Sequence, residues 1–375
     1  MSDSPEKTPA RPAEAAEKPP APQAKPKLAL YWAASCGGCE ITVLDINEKI
    51  LDVAATFDIV FWPVAVDLKV KDVEALADGE ITLCLFNGAI RTDENERIAH
   101  LLRRKSKILV AFGSCAMEGC IPALSNSTSR RETLDFIYHQ SPSTVNPDGV
   151  EPQLETEVNG FQLELPAFWE TVRALDQVVD VDYYVPGCPP QAHQIWAVLE
   201  AVIDILKTGK PLPPPGTVLG AGNKTCCDEC QRRRDEKKLK RFVRPHEIIP
   251  DPDRCLLDQG ILCLGPATRD GCGAKCPSVG MPCRGCYGPP PNSRDQGTKM
   301  ISALASVIDS QDPEEIEKIL DGIVDPVGSF YRFSLSKATL GRRLVEHREY
   351  PEEPRASARA ELPARESGSG KEVAR

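Results

Sequence analysis

Short apolar runs alternate with stretches of helical periodicity from Lys27 to about Pro215, whereas apolar periodicity is weak from Gly216 until residue 297. The apolar runs predict five strands, at 28–34, 58–64, 81–86, 107–112 and 179–185. Amphipathic stretches predict helices at about 39–53, 92–105 and 190–207. Strands that alternate with helices in this way are typical of a parallel sheet in a layered α/β domain.

The region beyond Gly216 is dense in Gly, Pro and Cys, and its last amphipathic stretch covers 297–322. Such a segment has little apolar surface with which to offset the entropy lost on ordering. Metal–thiolate bonds can supply the missing stabilisation. We therefore expect disordered tails at 1–26 and 346–375, an α/β domain at 27–215 and a small cluster-nucleated domain at 216–345. The polar stretch 141–160 is expected to be an insertion loop.

Fifteen cysteines carry the candidate chemistry. Four of them follow candidate strands in the motifs CGGC, GSC and GCPP: Cys36, Cys39, Cys115 and Cys188. Because the carboxyl ends of parallel strands share one edge of a sheet, these distant residues are expected to meet there. The glycines of CGGC allow the backbone to wrap closely around a bound group. Four thiolates are the usual ligand set of a [4Fe–4S] cluster.

Eight further cysteines are concentrated in sixty residues: Cys227, Cys230, Cys255, Cys263, Cys272, Cys276, Cys283 and Cys286. A local division gives the sets 227/230/255/263 and 272/276/283/286, although neighbouring clusters in two-cluster ferredoxins exchange ligands along the sequence. The chain is thus predicted to hold three [4Fe–4S] clusters and to transfer single electrons. Zinc, which also accepts four thiolates, is the alternative.

Three cysteines fall outside these sets. Cys84 lies in the middle of a candidate strand and is expected to be a small buried hydrophobic residue. Cys120 lies five residues beyond Cys115, and Cys226 adjoins Cys227. Either of them is an alternative ligand.

Charge and composition exclude several classes of function. The net charge of −10 argues against a nucleic-acid partner. The N-terminus lacks a secretory signal, and no run of about 18 apolar residues predicts a membrane helix. A cytoplasmic location is therefore expected, where clustered cysteines bind metal or perform redox chemistry. The basic run QRRRDEKKLKR at 231–241 is expected to be a solvated helix face, or alternatively a docking patch for an acidic partner.

Over about residues 28–340 the chain resembles the small subunit of [NiFe]-hydrogenases. The motifs CGGCE, GSCA and GCPP are shared with the 20-kDa subunit of respiratory complex I, which is the alternative. The block RCLLDQGILCLGPATRDGC and the following PCRGCYGP resemble the cluster domain that the complex I subunit lacks. The all-cysteine ligands and the absent export signal resemble the cytoplasmic F420-non-reducing, methyl-viologen-reducing type. The implied fold is a flavodoxin-like parallel-sheet α/β domain followed by a small, irregular iron–sulfur domain.

The resemblance also implies a division of labour between subunits. A large subunit would hold the nickel–iron centre, so this chain would be a subunit of an oxidoreductase acting on hydrogen, and no catalysis is expected from it alone. Electrons would leave to a heterodisulfide reductase-linked protein, a flavoprotein or ferredoxin. The implied ligands are a proximal set (Cys36, Cys39, Cys115, Cys188), a medial set (Cys272, Cys276, Cys283, Cys286) and a distal set (Cys227, Cys230, Cys255, Cys263).

Overall fold

The computed structural model of the chain describes residues 24–235 and 239–339. Most of the two expected tails, and residues 236–238 of the basic run, lie outside these residues. The described part contains ten strands: β1 (Lys27–Trp32), β2 (Asp58–Phe61), β3 (Ile81–Asn87), β4 (Ile90–Thr92), β5 (Ser106–Phe112), β6 (Glu155–Val158), β7 (Phe161–Glu164), β8 (Phe168–Arg173), β9 (Tyr183–Val185) and β10 (Thr217–Val218).

Twelve α-helices lie in the same ranges: α1 (Gly38–Leu44), α2 (Ile50–Thr56), α3 (Val70–Glu74), α4 (Asp93–Lys105), α5 (Ser114–Glu118), α6 (Arg130–Asp135), α7 (Ala192–Thr208), α8 (Cys226–Glu229), α9 (Lys275–Ser278), α10 (Gln296–Ala305), α11 (Pro313–Leu320) and α12 (Pro326–Phe330). None of the described helices is both long and apolar enough to cross a membrane.

Six parallel strands form the central sheet, in the order β10–β9–β5–β3–β1–β2. Strand β1 lies in the interior of the sheet, and β2 pairs with it at one edge. The next strand of the sheet, β3, pairs with the other side of β1, and β5, β9 and β10 follow it in order. This is the strand order of flavodoxin-like sheets. The predicted α/β class is therefore confirmed. The sixth strand lies just past the predicted boundary at 215, and that boundary stays a prediction.

Both faces of the sheet are covered. Successive side chains of a strand point to opposite faces, so Leu28 and Leu30 join the apolar cluster that includes Val43 of α1 and Val198 of α7. Ala29 and Tyr31 join the cluster on the other face, which is filled by α4. Because both faces are buried, the strands are continuous apolar runs without alternation, which is why they are recognisable in the sequence.

Residues at the two ends of α4 explain why its predicted bounds, 92–105, agree closely with the observed ones. Thr92 caps its N-terminus by accepting a hydrogen bond from the backbone N–H of Asn95, 3.2 Å away. Acidic residues occupy its first turn and basic residues its last turn, as the helix dipole favours.

Several predicted elements are wrong in detail. The helix expected at 39–53 is interrupted, because α1 ends at Leu44 and Asn47 has a positive φ of 58°. The insertion loop expected at 141–160 runs into a hairpin, β6–β7, that turns at Asn159 and Gly160. The amphipathic stretch 297–322 is two helices, and the second begins at Pro313 after the capping side chain of Asp312. The strand expected from 179 begins only at Tyr183.

The cysteine-rich region has a hydrophobic core of its own, which the sequence did not lead us to expect. Side chains of α10 and α11, including Met300, Leu304 and Ile319, pack with residues from the irregular segments. Buried cysteines, including Cys263 and Cys283, belong to the same cluster. Apolar packing therefore contributes to the order of this region together with the cysteine sets.

The two regions are joined by a buried hydrogen-bond chain. The hydroxyl of Tyr287, in the cysteine-rich region, donates to Oε1 of Gln194 in α7 at 2.7 Å. Nε2 of Gln194 in turn donates to the carbonyl of Pro186 at 3.2 Å. Pro186 directly follows β9, so these hydrogen bonds hold the cysteine-rich region against the loop after β9.

Removal of the Tyr287 hydroxyl is expected to loosen this junction. In Tyr287→Phe, Oε1 of the buried Gln194 loses its strongest donor, so the free energy of unfolding should fall by about 1 kcal/mol. Anaerobic urea titration of the variant measures the loss. The matched control is Tyr138→Phe, because no hydrogen bond of the Tyr138 hydroxyl occurs in the described part of the chain. Equal urea midpoints for both variants would contradict the assigned role.

Glu118, on α5, is buried beside Gly288, and its carboxylate makes no hydrogen bond within the described ranges. Burial raises the pKa of Glu118 from 4.5 to about 7; the charge of Lys337 lowers it by less, that of Asp176 raises it, and that of Arg269 lowers it. The folded chain therefore holds this proton to higher pH than the unfolded chain does. The contribution of the protonated Glu118 carboxyl to the free energy of unfolding is complete below about pH 4.5 and is lost as pH rises through about 7.

Glu118→Gln should abolish this pH dependence. The variant is expected to gain thermal stability relative to the parent chain as pH rises from about 5 to about 8, because it never has to bury a carboxylate. Melting temperatures across this range measure the effect. Glu200→Gln, at an exposed position of α7, serves as the control. A constant difference in melting temperature between parent and Glu118→Gln across the range would refute the assignment.

Candidate metal centres at the cysteine sets

The proximal set lies at the carboxyl edge of the sheet, as predicted. Cys36 and Cys39 follow β1, Cys115 opens α5 directly after β5, and Cys188 follows β9. The loops after β5 and β9 are tied together, because the N–H of Gly113 donates to the Val185 carbonyl and that of Ser114 to the Gly187 carbonyl, each at 2.8 Å. The sheet therefore delivers all four cysteines from three separate loops.

Gly113 makes the close approach of these loops possible. It has a positive φ of 83°, and a Cβ atom at this position would lie 2.5 Å from the sulfur of Cys39. No larger residue is compatible with that distance unless the sulfur moves. The glycine of the GSC motif thus leaves the space in which the Cys39 thiol sits.

The four thiols of the proximal set influence one another electrostatically. Burial is the largest cause that raises the pKa of Cys39, and the neighbouring Cys115, Cys188 and Cys36 raise it further. Cys36 and Cys188 are exposed, whereas Cys39 and Cys115 are buried. The set therefore extends from the interior of the protein to its surface.

A fifth thiol adjoins this set. Cys120 is fully buried, and its sulfur lies 3.8 Å from the sulfur of Cys188. Hydrogen bonds with Cys115 and Cys188, together with burial, raise the pKa of the Cys120 thiol, so it keeps its proton and can donate it to either sulfur. The short α5 and the turn at Gly119 bring it back to Cys115.

The C-terminal part of the described chain closes the proximal set from outside the sheet. The N–H of Cys120 donates to the carbonyl of Phe333 at 3.2 Å, and the Phe333 side chain packs with Cys115, Cys120 and Cys286. Ser336 packs tightly on Gly119, where a Cβ atom would lie 2.4 Å from that of Ser336. The segment around residue 333 is therefore part of the site.

A polar pair lies beside the proximal set. Nδ2 of Asn87, at the end of β3, donates to both carboxylate oxygens of Glu40, at 2.9 and 2.7 Å, and to Oγ of Ser35. Burial raises the pKa of Glu40, and the hydrogen bond from Asn87 opposes this. Oδ1 of Asn87 is buried and has no partner within the described residues. Sequence reasoning missed Asn87, because only the sheet order brings β3 next to the CGGC loop.

The distal set encloses one space. Cys227, Cys230, Cys255 and Cys263 line a common cavity together with Gly265. A Cβ atom on Gly265 would lie 2.8 Å from the sulfur of Cys227 and 3.8 Å from that of Cys263. Burial raises the pKa of Cys227 to about 12.

The medial set is brought together by the short helix α9 and the CRGC turn. Burial raises the pKa of Cys286, and the sulfurs of Cys283, Cys272 and Cys276 act in the same direction. The hydroxyl of Thr268 lies 3.5 Å from the sulfur of Cys283. The members of this set are therefore mutual neighbours, although they come from a segment with little regular structure.

Cys226 lies between two sets, because it lines the distal cavity beside Cys227 and also adjoins the medial set. It is buried, and its thiol hydrogen-bonds the sulfurs of Cys272 and Cys283. This hydrogen bond is the main cause that lowers the pKa of Cys272 to about 6. The arrangement depends on how the segments fold over one another, which cysteine spacing does not encode.

The three sets contact one another in series. The hydroxyl of Ser114, beside Cys115, donates to the carbonyl of Cys286 in the medial set. At the other end of the medial set, the N–H of Cys283 donates to the sulfur of Cys263, in the distal set, at 3.3 Å. The medial set therefore lies between the other two.

All fifteen cysteines lie in the described part of the chain as free thiols. Cys84 is completely buried in β3, as expected for a structural residue. Within residues 24–235 and 239–339, no group of three or more His, Cys, Asp or Glu side chains is placed to hold a single metal ion.

Sequence comparison gives matches over the same regions. The family described as NADH ubiquinone oxidoreductase, 20 Kd subunit, matches residues 36–202. The iron-sulfur subunit of the F420-non-reducing hydrogenase of Archaeoglobus profundus is 43% identical over 85% of this chain and 99% of its own length. The corresponding F420-non-reducing hydrogenase subunit of Methanothermobacter thermautotrophicus is 37% identical over 85% of this chain and 97% of its own.

Among solved structures, a chain of an NAD+-reducing [NiFe]-hydrogenase in the H2-reduced state is 28% identical, with a TM-score of 0.42. The match covers 50% of this chain and 96% of that chain. The relatives from A. profundus and M. thermautotrophicus are matched over nearly their whole length. The chain belongs to the family of F420-non-reducing hydrogenase iron–sulfur subunits.

Proposed function

We propose that this chain is the electron-transfer small subunit of a [NiFe]-hydrogenase. It relays electrons from H2 oxidation in a large subunit, through three [4Fe–4S] clusters, to an accepting partner. The observation that carries the proposal is the serial contact of three sets of four cysteines, through Ser114 with Cys286 and through Cys283 with Cys263. A single cluster or a structural metal site has no need for such a series.

The donor sets suit the proposed clusters. Each set offers four thiols, which is the usual ligand number of a [4Fe–4S] cluster. Gly113 and Gly265 leave room next to ligand sulfurs where any side chain would intrude. The assigned ligands are Cys36, Cys39, Cys115 and Cys188 for the proximal cluster, Cys272, Cys276, Cys283 and Cys286 for the medial cluster, and Cys227, Cys230, Cys255 and Cys263 for the distal cluster.

When bound, the clusters would supply one-electron chemistry that side chains cannot provide. The chain itself positions the ligands and buries four of the twelve, Cys39, Cys115, Cys263 and Cys283. It also supplies hydrogen-bond donors to ligand sulfurs, such as the Cys283 N–H and the thiols of Cys120 and Cys226. Hydrogen bonds to cluster sulfurs are one of the means by which proteins tune reduction potentials.

The surface around the proximal set supports a protein partner at this end of the series. Trp32, Ile41 and Leu44 are large apolar side chains with exposures of 41%, 61% and 51%. They lie on β1 and α1, next to the exposed Cys36. Exposed apolar side chains grouped around a functional site favour burial by another protein. We assign this surface to the large subunit.

The second candidate is an electron-transfer subunit of the complex I 20-kDa type. It is favoured by the family match, which covers residues 36–202 and thus the whole proximal set. The match ends before Cys226, so this interpretation leaves the eight cysteines of the medial and distal sets without a role. The cytoplasmic location and the nature of the accepting partner, whether heterodisulfide reductase-linked, flavoprotein or ferredoxin, stay predictions from the resemblance.

Co-expression with the large subunit tests the proposal. The chain should form a heterodimer that contains nickel, reduces viologen with H2, and carries about twelve irons on this chain, four for each cluster. Iron and acid-labile sulfide are counted on anaerobically purified material. About four irons with dispensable C-terminal cysteines would favour the complex I-type interpretation, and zinc in place of iron would exclude electron transfer.

The order of the series predicts different effects for its two ends. In Cys230→Ser, hydrogen–deuterium exchange at the large subunit should persist, because electrons need not reach the distal cluster for this reaction. Delivery to the accepting protein should fall at least about tenfold, since it must pass the last carrier. Cys115→Ser should impair H2-dependent reduction of every acceptor. Cys84→Ala controls for the loss of a buried thiol, and parallel loss of both activities in a folded Cys230→Ser heterodimer would contradict the order.

A further inference from the structure

A cavity of about 380 Å³ lies in the cysteine-rich region, apart from the three cysteine sets. Its volume lies within the range of small-molecule sites, about 300–1,000 Å³. The segment that follows residue 239, the CRGC turn and the segment around α12 form its walls, with Phe242, Arg244, Leu262, Arg284, Val324 and Arg332 among the lining residues. The cavity thus combines apolar walls with three guanidinium groups.

The guanidinium groups of Arg244, Arg284 and Arg332 all line this one cavity. None of the ion pairs between described residues involves any of the three. Like charges brought together without a counter-ion destabilise the folded chain, and a bound anion removes this cost.

The single carboxylate in the lining is already engaged. Oδ1 of Asp325 accepts a hydrogen bond from the N–H of Gly328 at 2.8 Å. Nε of Arg332 donates to the carbonyl of Gly328 at 2.9 Å, which orients this guanidinium and leaves its two Nη groups available. Among the described residues of the lining, three guanidinium groups are therefore set against one carboxylate. An excess of positive groups of this kind favours an anionic ligand.

We propose that this cavity binds a phosphate-bearing ligand, with its phosphoryl group between the guanidinium groups of Arg244, Arg284 and Arg332. Arginine suits this task because its planar fork presents paired N–H donors to phosphate oxygens. The apolar wall of Phe242, Leu262 and Val324 receives the remainder of a larger ligand. Free phosphate and a nucleotide share this chemistry.

Two lining residues of the cavity are sequence neighbours of assigned ligands. Leu262 precedes Cys263 of the distal set, and Arg284 follows Cys283 of the medial set. On the proposed function, an anion in this cavity lies near both clusters and makes each harder to reduce, because added negative charge opposes an incoming electron. Occupancy of the cavity thereby regulates electron flow between these two carriers.

Isothermal titration of the heterodimer with inorganic phosphate, pyrophosphate and AMP tests the site directly. At least one of the three should bind, and Arg332→Ala and Arg244→Ala should each weaken it by about tenfold or more, as loss of a charged hydrogen-bond donor implies. Arg332→Lys should bind more weakly than the parent chain but more tightly than Arg332→Ala. The control is Lys107→Ala, at an exposed position near the amino end of β5. Iron content and melting temperature identify any variant that misfolds.

The relative affinities for phosphate and AMP distinguish free phosphate from a nucleotide as the ligand. Equal binding of phosphate and AMP assigns the site to free phosphate, whereas tighter binding of AMP shows that the apolar wall is used. Absence of binding at about 1 mM of all three probes overturns the proposal, as does binding that survives in Arg244→Ala/Arg332→Ala. Binding of succinate as tight as that of phosphate also overturns it, since the cavity would then be a receptor for carboxylates, such as acidic side chains of a partner. Phosphate binding by a chain that carries zinc in place of iron would uphold the site and refute the proposed function.

Discussion

The structure depends on the cost of crowding thiols where water is scarce. Burial and neighbouring sulfurs raise the pKa of Cys39 and of Cys286 well above the ordinary value of a thiol. Four thiolates at such positions repel one another and lack solvation. A bound metal cluster reverses this situation, because its positive charge stabilises the deprotonated sulfurs. The fold therefore buries sulfurs such as those of Cys39 and Cys286 where they are costly to ionise alone, whereas hydrogen bonding from Cys226 makes Cys272 easier to ionise. On the proposed function, bound iron stabilises the thiolates of each set.

The division into an α/β region and a cysteine-rich region is clearer in the sequence than in the packing. Tyr287 reaches Gln194 in α7, and Phe333 joins cysteines of the proximal and medial sets in one apolar cluster. A hydroxyl from the proximal loop, that of Ser114, contacts the backbone of the medial set. The proximal and medial sets are therefore in contact, so the junction of the two regions is also a step of the proposed electron route.

Features that follow from local pattern were predictable from the sequence. The buried parallel strands are continuous apolar runs, and each of the motifs CGGC, GSC and GCPP directly follows one, so their meeting at one sheet edge follows from topology. Helix α4 was placed within a residue because its caps and charges are local. The interruption after Leu44 and the hairpin within the expected loop were missed, since they depend on single turn residues, Asn47 and Gly160.

The contacts of Cys226 and Cys120 could not be derived, because nothing in the spacing shows that Cys226 lines the distal cavity and also reaches the medial set. The partition of the eight cysteines into two local sets stays a prediction, because Cys283 of the medial set also contacts the sulfur of Cys263 in the distal set. The contact of Asn87 could not be predicted from the sequence either, because it also depends on the tertiary arrangement. Its role arises from strand order, which places β3 beside a loop that is about fifty residues away in sequence.

The position of Phe333 has a consequence for biosynthesis. Cys188 leaves the ribosome 145 residues before Phe333, yet Phe333 accepts a hydrogen bond from the backbone of Cys120 and packs on Cys115. The segment that covers the first four thiols is therefore synthesised well after them, and it can close over them only when nearly all of the described chain has been made.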